Sequence, residues 1–354
     1  MRIFWDYRLF SLPYADRGVG VITRRLGESI CSKIAEHRVF IYGNASHVPS
    51  SCIPPNSIFI ETKPLSWKYD LISIPLVLKK YKIDLAHFWV ALGPIHHIGL
   101  PLVLSCPGIA TIHDMGVALW KDIPYLCNKS KTLFWKFQKF CIKMFDAVHF
   151  YTYASEKDYT DFFGRSQKSM VTYPPLPSWR LLRDKGRKPF VLTLGGAPHK
   201  NLKRVIQAFK RIHETYPHLQ LVIAGTITRE EIPSSVPSNI RFVTIDHFPQ
   251  LLSTAAVFVS ASYHEGLGLP MLEAMKMNCP MVLSEIPSHL EIAGGHAVFV
   301  DPFSVPSIAA GIREALMHQR KLIKITFEAQ QSYENLSSHS AEIVLSTYNG
   351  LLHG

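Results

Sequence analysis

Cysteine has no pattern in this sequence. Its six cysteines, Cys31, Cys52, Cys106, Cys127, Cys141 and Cys279, form no C-x-x-C pair and no metal-ligand rhythm. That removes disulfide scaffolds and zinc modules and reads as scattered, reduced thiols of a cytoplasmic protein. Charge is sparse too: charged residues make up 18% of the chain against 47% hydrophobic ones, which excludes disorder and implies a well-buried core. Low-complexity segments and repeats of solenoid period are missing. The longest uncharged run, Ala86 to Ile112, has the length of a membrane span. It holds His87, His96 and His97 and is broken by Pro94, Pro101 and Pro107, so it reads as strand, loop and strand. The first residues, MRIFWDYRLF, carry Arg2, Asp6 and Arg8 among apolar ones, which argues against a signal peptide.

What is present is a basic, two-domain α/β chain. Residues 1–180 hold 22 Lys and Arg against 13 Asp and Glu, hence +9, and residues 181–354 hold 16 against 14, hence +2, giving the net +11. The basic half suits a surface facing anionic lipid or an anionic acceptor better than nucleic acid. Apolar, β-branched runs alternate with helical patterns. Strands are predicted at Arg2–Trp5, Val39–Tyr42, Ser57–Ile60, Leu85–Phe88, Ile109–Ile112 and Ala147–Tyr151. In the second half they fall at Phe190–Leu194, Leu219–Ala224, Ile240–Val243, Ala256–Ser260, Pro280–Leu283 and Ala297–Val300. Helices are predicted near 20–35, 70–81, 130–145 and 155–163, then 201–215, 248–253, 270–278 and 304–318. Strand–helix alternation means right-handed β-α-β units, parallel sheets and a doubly wound architecture. The run Tyr173-Pro174-Pro175-Leu176-Pro177 and the basic Arg183–Lys188 segment break both periodicities. The expected division is 1–180, 181–335 and a terminal helix at 336–354. Such folds bind ligands outside the carboxyl ends of their strands.

Residues 256–274, AVFVSASYHEGLGLPMLEA, give a strand, a glycine-bearing loop and a helix. The loop Glu265-Gly266-Leu267-Gly268 lets backbone N–H groups approach an anion, and the following helix start adds free donors and partial positive charge. Pro270 suits the first helical position, which puts Glu273 in the first turn, where a carboxylate accepts hydroxyl hydrogen bonds or merely caps. A second segment, LTLGGAPHKNLKRVIQAF, is a strand, a turn at Gly195-Gly196 and a helix, with Lys200 entering it. Arg17-Gly18-Val19-Gly20 reads as a glycine loop before a helix, and Thr111-Ile112-His113-Asp114 ends a strand with a histidine. Residues 129–145, KSKTLFWKFQKFCIKMF, form a basic, aromatic helix fit either for an anionic membrane surface or for packing on a sheet.

EGLGLPMLE resembles the E-x7-E signature of retaining glycosyltransferases of family 4, which have the GT-B fold: two Rossmann-like domains facing each other across a cleft. The resemblance is strong over about 190–320 and looser over 1–25 and 84–160. It implies that Glu265 faces the sugar of a nucleotide-sugar donor and Glu273 the ribose. The amides of Gly266, Leu267, Gly268 and Leu269 line sugar and phosphate. Lys200, with Gly195 and Gly196, lies at the diphosphate, Gly18 and Gly20 near phosphates and acceptor, and His113 at the sugar. Many members carry an arginine where this chain has Gly196, and Arg204 is the substitute considered. No D-x-D motif occurs, so no metal and no cofactor beyond the donor are implied. The implied chemistry is front-face transfer of a hexose or deoxyhexose from a GDP-, UDP- or dTDP-linked donor to a glycan or lipid-linked glycan, as in polysaccharide or lipopolysaccharide synthesis. The implied setting is cytoplasmic or peripheral at the inner membrane face. A dinucleotide-dependent oxidoreductase lacks its third glycine. An epimerase of the same architecture and an inactive sugar- or nucleic-acid-binding protein are the other readings. Donor base, sugar and acceptor stay open.

Overall fold

A computed structural model describes residues 1–13, 15–62, 67–92, 99–101, 103–116, 140–164, 168–180, 186–227, 232 and 237–353. The chain divides into two compact units, Met1–Pro175 with Leu336–Gly354, and Leu176–Asn335. Much of the basic aromatic helix expected at 130–145 lies outside the described residues.

The first unit carries seven parallel strands in the order β3-β2-β1-β4-β5-β6-β7. They are β1 Arg2–Asp6, β2 Arg38–Tyr42, β3 Ile58–Ile60, β4 Leu85–Leu92, β5 Gly108–Ile112, β6 Ala147–Phe150 and β7 Ser169–Val171. Helices α1 Gly18–Cys31, α2 Trp67–Lys80 and α3 Tyr153–Phe163 connect them. One sheet face is apolar: Phe4, Phe40, Phe88, Ala110 and Phe150 share a buried cluster with Ile74 and Leu78 of α2. The other face carries buried polar groups, with Trp5 opposite His87 and Thr111 opposite His149 in the ladders. This alternation follows from the two-residue period of a strand.

The second unit has six parallel strands in the order β10-β9-β8-β11-β12-β13. They are β8 Lys188–Leu194, β9 Gln220–Ala224, β10 Ile240–Val243, β11 Ala255–Ser260, β12 Met281–Ser284 and β13 Val298–Val300. Its helices are α4 Leu202–His213, α5 Phe248–Thr254, α6 Leu269–Lys276, α7 Pro287–Ala293 and α8 Val305–Met317, with α9 Gln319–Ser338 running past its end. The apolar stripe of α4, Leu202, Val205, Ile206, Phe209 and Ile212, packs with Val191, Leu221 and Val257 of the sheet. Arg187, just before β8, donates to the carbonyls of Leu252, Ala255, Met277 and Asn278 at 2.6–3.2 Å, tying α5, β11 and α6 together. The last helix, α10 Ser340–Leu352, belongs to the first unit, where Ser340 bonds both the amide and the carbonyl of Tyr173.

Candidate active site

In each sheet the strand order reverses once, and ligands of doubly wound folds sit outside the carboxyl ends of the strands at that point. In the second unit the reversal lies between β8 and β11. The two segments singled out from the sequence leave these same strands, residues 195–201 after β8 and 261–268 after β11. Both connections are held by side chains that no motif marked. Asn201 takes a left-handed conformation (φ 58°) and donates to the carbonyls of Ala261 at 2.9 Å and Pro302 at 2.7 Å. The Tyr263 amide donates to the His199 carbonyl at 2.9 Å and its hydroxyl to Asn201 Oδ1 at 2.5 Å. Arg204, the substitute cation considered, donates to that same hydroxyl and to Asn201, with its guanidinium 5.5 Å from the Tyr263 ring centre.

This frame brings Lys200 and Glu265 into contact. Lys200 Nζ lies 2.6 Å from Glu265 Oε1, and Ser262 Oγ donates to the same oxygen at 2.8 Å. The two side chains are 18% and 11% exposed, so the pair is shielded yet reachable from solvent. Burial alone would push the Glu265 carboxyl up; the charge and hydrogen bond of Lys200, with smaller electrostatic contributions from His199 and His289, outweigh it and hold it at about 2. Glu265 is therefore an anion at neutral pH.

Gly196 can only be glycine here. Its φ is +101°, and a Cβ would lie 2.5 Å from the Thr226 carbonyl oxygen. The arginine common at this turn in the resembled family does not fit this backbone. At Gly195 a Cβ would crowd Ile227 and Leu202 at 3.0–3.1 Å. Gly266 and Leu267 are buried in the loop, and Leu269 opens α6. Gly268 is the left-handed N-cap of α6 (φ 82°), its carbonyl receiving the Met271 amide at 2.9 Å. The helix thus starts one residue earlier than expected. Pro270 is its second residue, and Glu273 falls beyond the first turn rather than in it, half-buried on the helix side.

His113, Gly18 and Gly20 belong to the other unit. Gly18 and Gly20 form the first turn of α1 rather than a loop ahead of it. A Cβ on Gly20 would strike the Ala15 backbone, whereas Gly18 faces open space. His113 is buried at the end of β5. Its Nε2 donates to the Trp89 carbonyl at 2.9 Å, and among the described residues its Nδ1 meets no partner, which makes Nδ1 the lone-pair nitrogen. Burial pushes it down to about 4 against the opposing Trp89 carbonyl and Asp114, so the ring is neutral at pH 7. Asp114 Oδ1 accepts from the Gly116 amide at 2.9 Å, a local turn bond.

Part of the chain is similar to known proteins in sequence, and all of it in fold. Residues 188–318, which contain both connections, match the family model described as glycosyl transferases group 1. O-antigen chain mannosyltransferase B of Escherichia coli is 32% identical over 130 residues, covering 34% of this chain and 34% of that protein. O-antigen chain mannosyltransferase RfbU of Salmonella typhimurium is 27% identical over 157 residues, covering 42% and 44%. The matches thus span about a third to under half of these relatives' length. Among solved structures, Anabaena HepE in complex with UDP and glucose superposes with a TM-score of 0.70 at 14% identity, covering 99% of this chain and 100% of that one. WaaG, a glycosyltransferase involved in lipopolysaccharide biosynthesis, gives 0.65 at 15% identity over 100% of both. The fold is GT-B.

Asn201, Ser262, Tyr263 and His289 escaped the sequence reading. Their contribution is made by contacts between distant connections, which no local spacing announces.

Proposed function

We propose that this chain is a retaining glycosyltransferase that moves a hexose or deoxyhexose, mannose above all, from a nucleotide-sugar donor to a glycan or lipid-linked glycan in O-antigen or lipopolysaccharide assembly. The observation that carries this reading is the shielded Lys200–Glu265 pair at the strand-order reversal, beside the N-terminus of α6 and inside the segment that matches the glycosyl transferases group 1 model. The O-antigen mannosyltransferases of Escherichia coli and Salmonella typhimurium support the sugar and the setting.

In this mechanism the donor diphosphate sits at the α6 N-terminus and the amides of Gly266 to Leu269, where helix dipole and free N–H groups favour an anion. Lys200 shares its charge between Glu265 and the phosphates and stabilises the nucleotide as it leaves. Glu265 accepts from sugar hydroxyls and fixes the ring, while Glu273 takes the ribose. The acceptor hydroxyl attacks C1 on the face the nucleotide leaves, and its proton passes to the departing phosphate oxygen, so no protein nucleophile is used. No divalent metal is required. Nucleotide release from one donor of a nucleotide-sugar panel, unchanged by EDTA and abolished in Glu273→Ala, is the expected result. Release from none, with donor binding kept, would instead favour an inactive binding protein, the reading that the missing arginine at Gly196 suggests.

A lipid-linked acceptor fits the outer face of α2. Ile72 and Leu76, one turn apart, are 68% and 62% exposed, and exposed Lys79 and Lys80 follow them. Among the described residues no helix is long and apolar enough to cross a membrane. Sedimentation with anionic but not neutral vesicles, weakened in Ile72→Glu/Leu76→Glu, is expected; equal binding of both vesicle types would exclude a membrane role for this face.

A further inference from the structure

His289, the third residue of α7, is fully buried, yet half of its ring chemistry is unused. Its Nδ1 lies 3.1 Å from both the Ser284 carbonyl oxygen and the Ser284 hydroxyl. A carbonyl only accepts, so Nδ1 carries the proton and Nε2 is left with a bare lone pair. Among the described residues nothing donates to that Nε2. Leaving a buried acceptor unmet is costly, and such groups repay explanation.

The ring edge lies close to Gly268, in the loop proposed to hold the donor. A Cβ on Gly268, the N-cap of α6, would lie 3.3 Å from His289 Cδ2 and 3.4 Å from Nε2. With glycine there no Cβ presses on that edge, within a ring that is buried as a whole. The charges of Glu265 and Lys200 both reach the ring. Burial dominates these influences and holds His289 at about 4, so the ring is neutral at physiological pH. A neutral Nε2 lone pair repels a phosphate oxygen and accepts from a hydroxyl, which decides what it can meet at this helix start.

We propose that His289 Nε2 accepts a hydrogen bond from one hydroxyl of the transferred sugar and thereby selects donors that carry it. The inference rests on the glycosyl-transfer reading above and deepens it. Glu265 and His289 then present two acceptors to the sugar, one charged and one neutral. A donor lacking the hydroxyl leaves Nε2 unmet and is used less well.

The test is kcat/KM for the active nucleotide sugar and for analogues lacking one sugar hydroxyl at a time. One analogue should fall about 10- to 100-fold in the wild type. His289→Phe should lose a similar factor on the parent donor, lose nothing further on that analogue, and so erase the discrimination, with His289→Gln restoring part of it. A uniform loss on every donor in His289→Phe would overturn the inference while leaving glycosyl transfer standing. Nucleotide release from no donor by the wild type would overturn both. Should the variants fail to fold, nitrogen NMR of histidine-labelled wild type decides: the His289 Nε2 resonance should move with the parent donor and stay with the discriminated analogue. A resonance that ignores both overturns the proposal.

Discussion

In the Leu176–Asn335 unit, polar side chains collect in the connections at the carboxyl ends of β8 and β11, with a cation and a carboxylate in contact and partly reachable. In the Met1–Pro175 unit they run inside, across the sheet, as a neutral chain. Tyr348 lies 2.6 Å from His87 Nδ1, His87 Nε2 2.8 Å from Thr111, Thr111 2.9 Å from His149 Nδ1, and His149 Nε2 2.6 Å from Thr172. Among the described residues the charges buried there form one cluster, Arg8 bidentate on Asp6 at 2.6–2.7 Å and paired with Asp70, all nearly inaccessible. Charges sealed on every side hold structure. Charges left 11–18% exposed, as in Lys200 and Glu265, can exchange partners with a ligand. Three experiments bear on that contrast.

Acid should separate the units most. Burial pushes His149 down to about 3, His113 to about 4 and His87 well below its usual value. Unfolded histidines titrate near 6.5, so below that pH the unfolded chain binds more protons than the folded one. The stability from keeping these rings neutral is complete above about pH 7 and is lost as pH falls towards the folded values. Each ring contributes a slope approaching about 1.4 kcal/mol per pH unit. Among the described residues the first unit has these three fully buried rings, and a partly exposed His37 lowered in the same direction, against His289 in the second, and Glu265, held at about 2, is untouched in this window. Hydrogen exchange at pH 7.5 and pH 5 should show the first unit opening sooner; equal loss of protection in both would break the comparison.

Next come the two charge clusters. Arg8→Met strands two buried carboxylates and should cost about 3–5 kcal/mol in urea unfolding. Lys200→Met should cost about 1–2 kcal/mol, because Ser262 still serves Glu265, yet lower nucleotide release by about 10²–10³-fold. A larger stability loss at Lys200 than at Arg8 would mean that the exposed pair is structural.

The same contrast explains what the sequence could disclose. Strands buried on both faces announce themselves: β11, Ala255–Ser260, is buried almost throughout and lies within one residue of its predicted bounds. Short β7, Ser169–Val171, gave no signal, being a three-residue edge strand with an exposed serine. The twenty-residue α9 was also missed. Its buried face is Leu322, Thr326, Ala329, Gln330, Tyr333 and Ser337, a helical period in which half the residues are polar and escape a hydrophobic pattern. α10, with Ala341, Val344 and Tyr348 buried, was legible. At the candidate site the loop and helix were visible because glycine and proline mark local backbone. Asn201, Tyr263 and His289 act through long-range contacts and were not.

The smallest effect tests whether the neutral chain is one unit. The Trp5 indole can only donate, and it reaches Tyr348 Oη at 3.2 Å. With Tyr348 donating to His87 Nδ1, His87 holds its proton on Nε2 and passes it to Thr111; Thr111 then donates to His149 Nδ1, and His149 Nε2 to Thr172. One direction satisfies every group, and it starts at a hydroxyl supplied by α10. Tyr348→Phe keeps the ring but strands the Trp5 N–H and the His87 lone pair, both buried, and should cost about 1–3 kcal/mol. The loss should fall on both α10 and the sheet, with faster exchange at β4 and β5 as well as in Ser340–Leu352. Faster exchange confined to α10 would mean that each bond acts alone and that the row is a set of pairs rather than a chain.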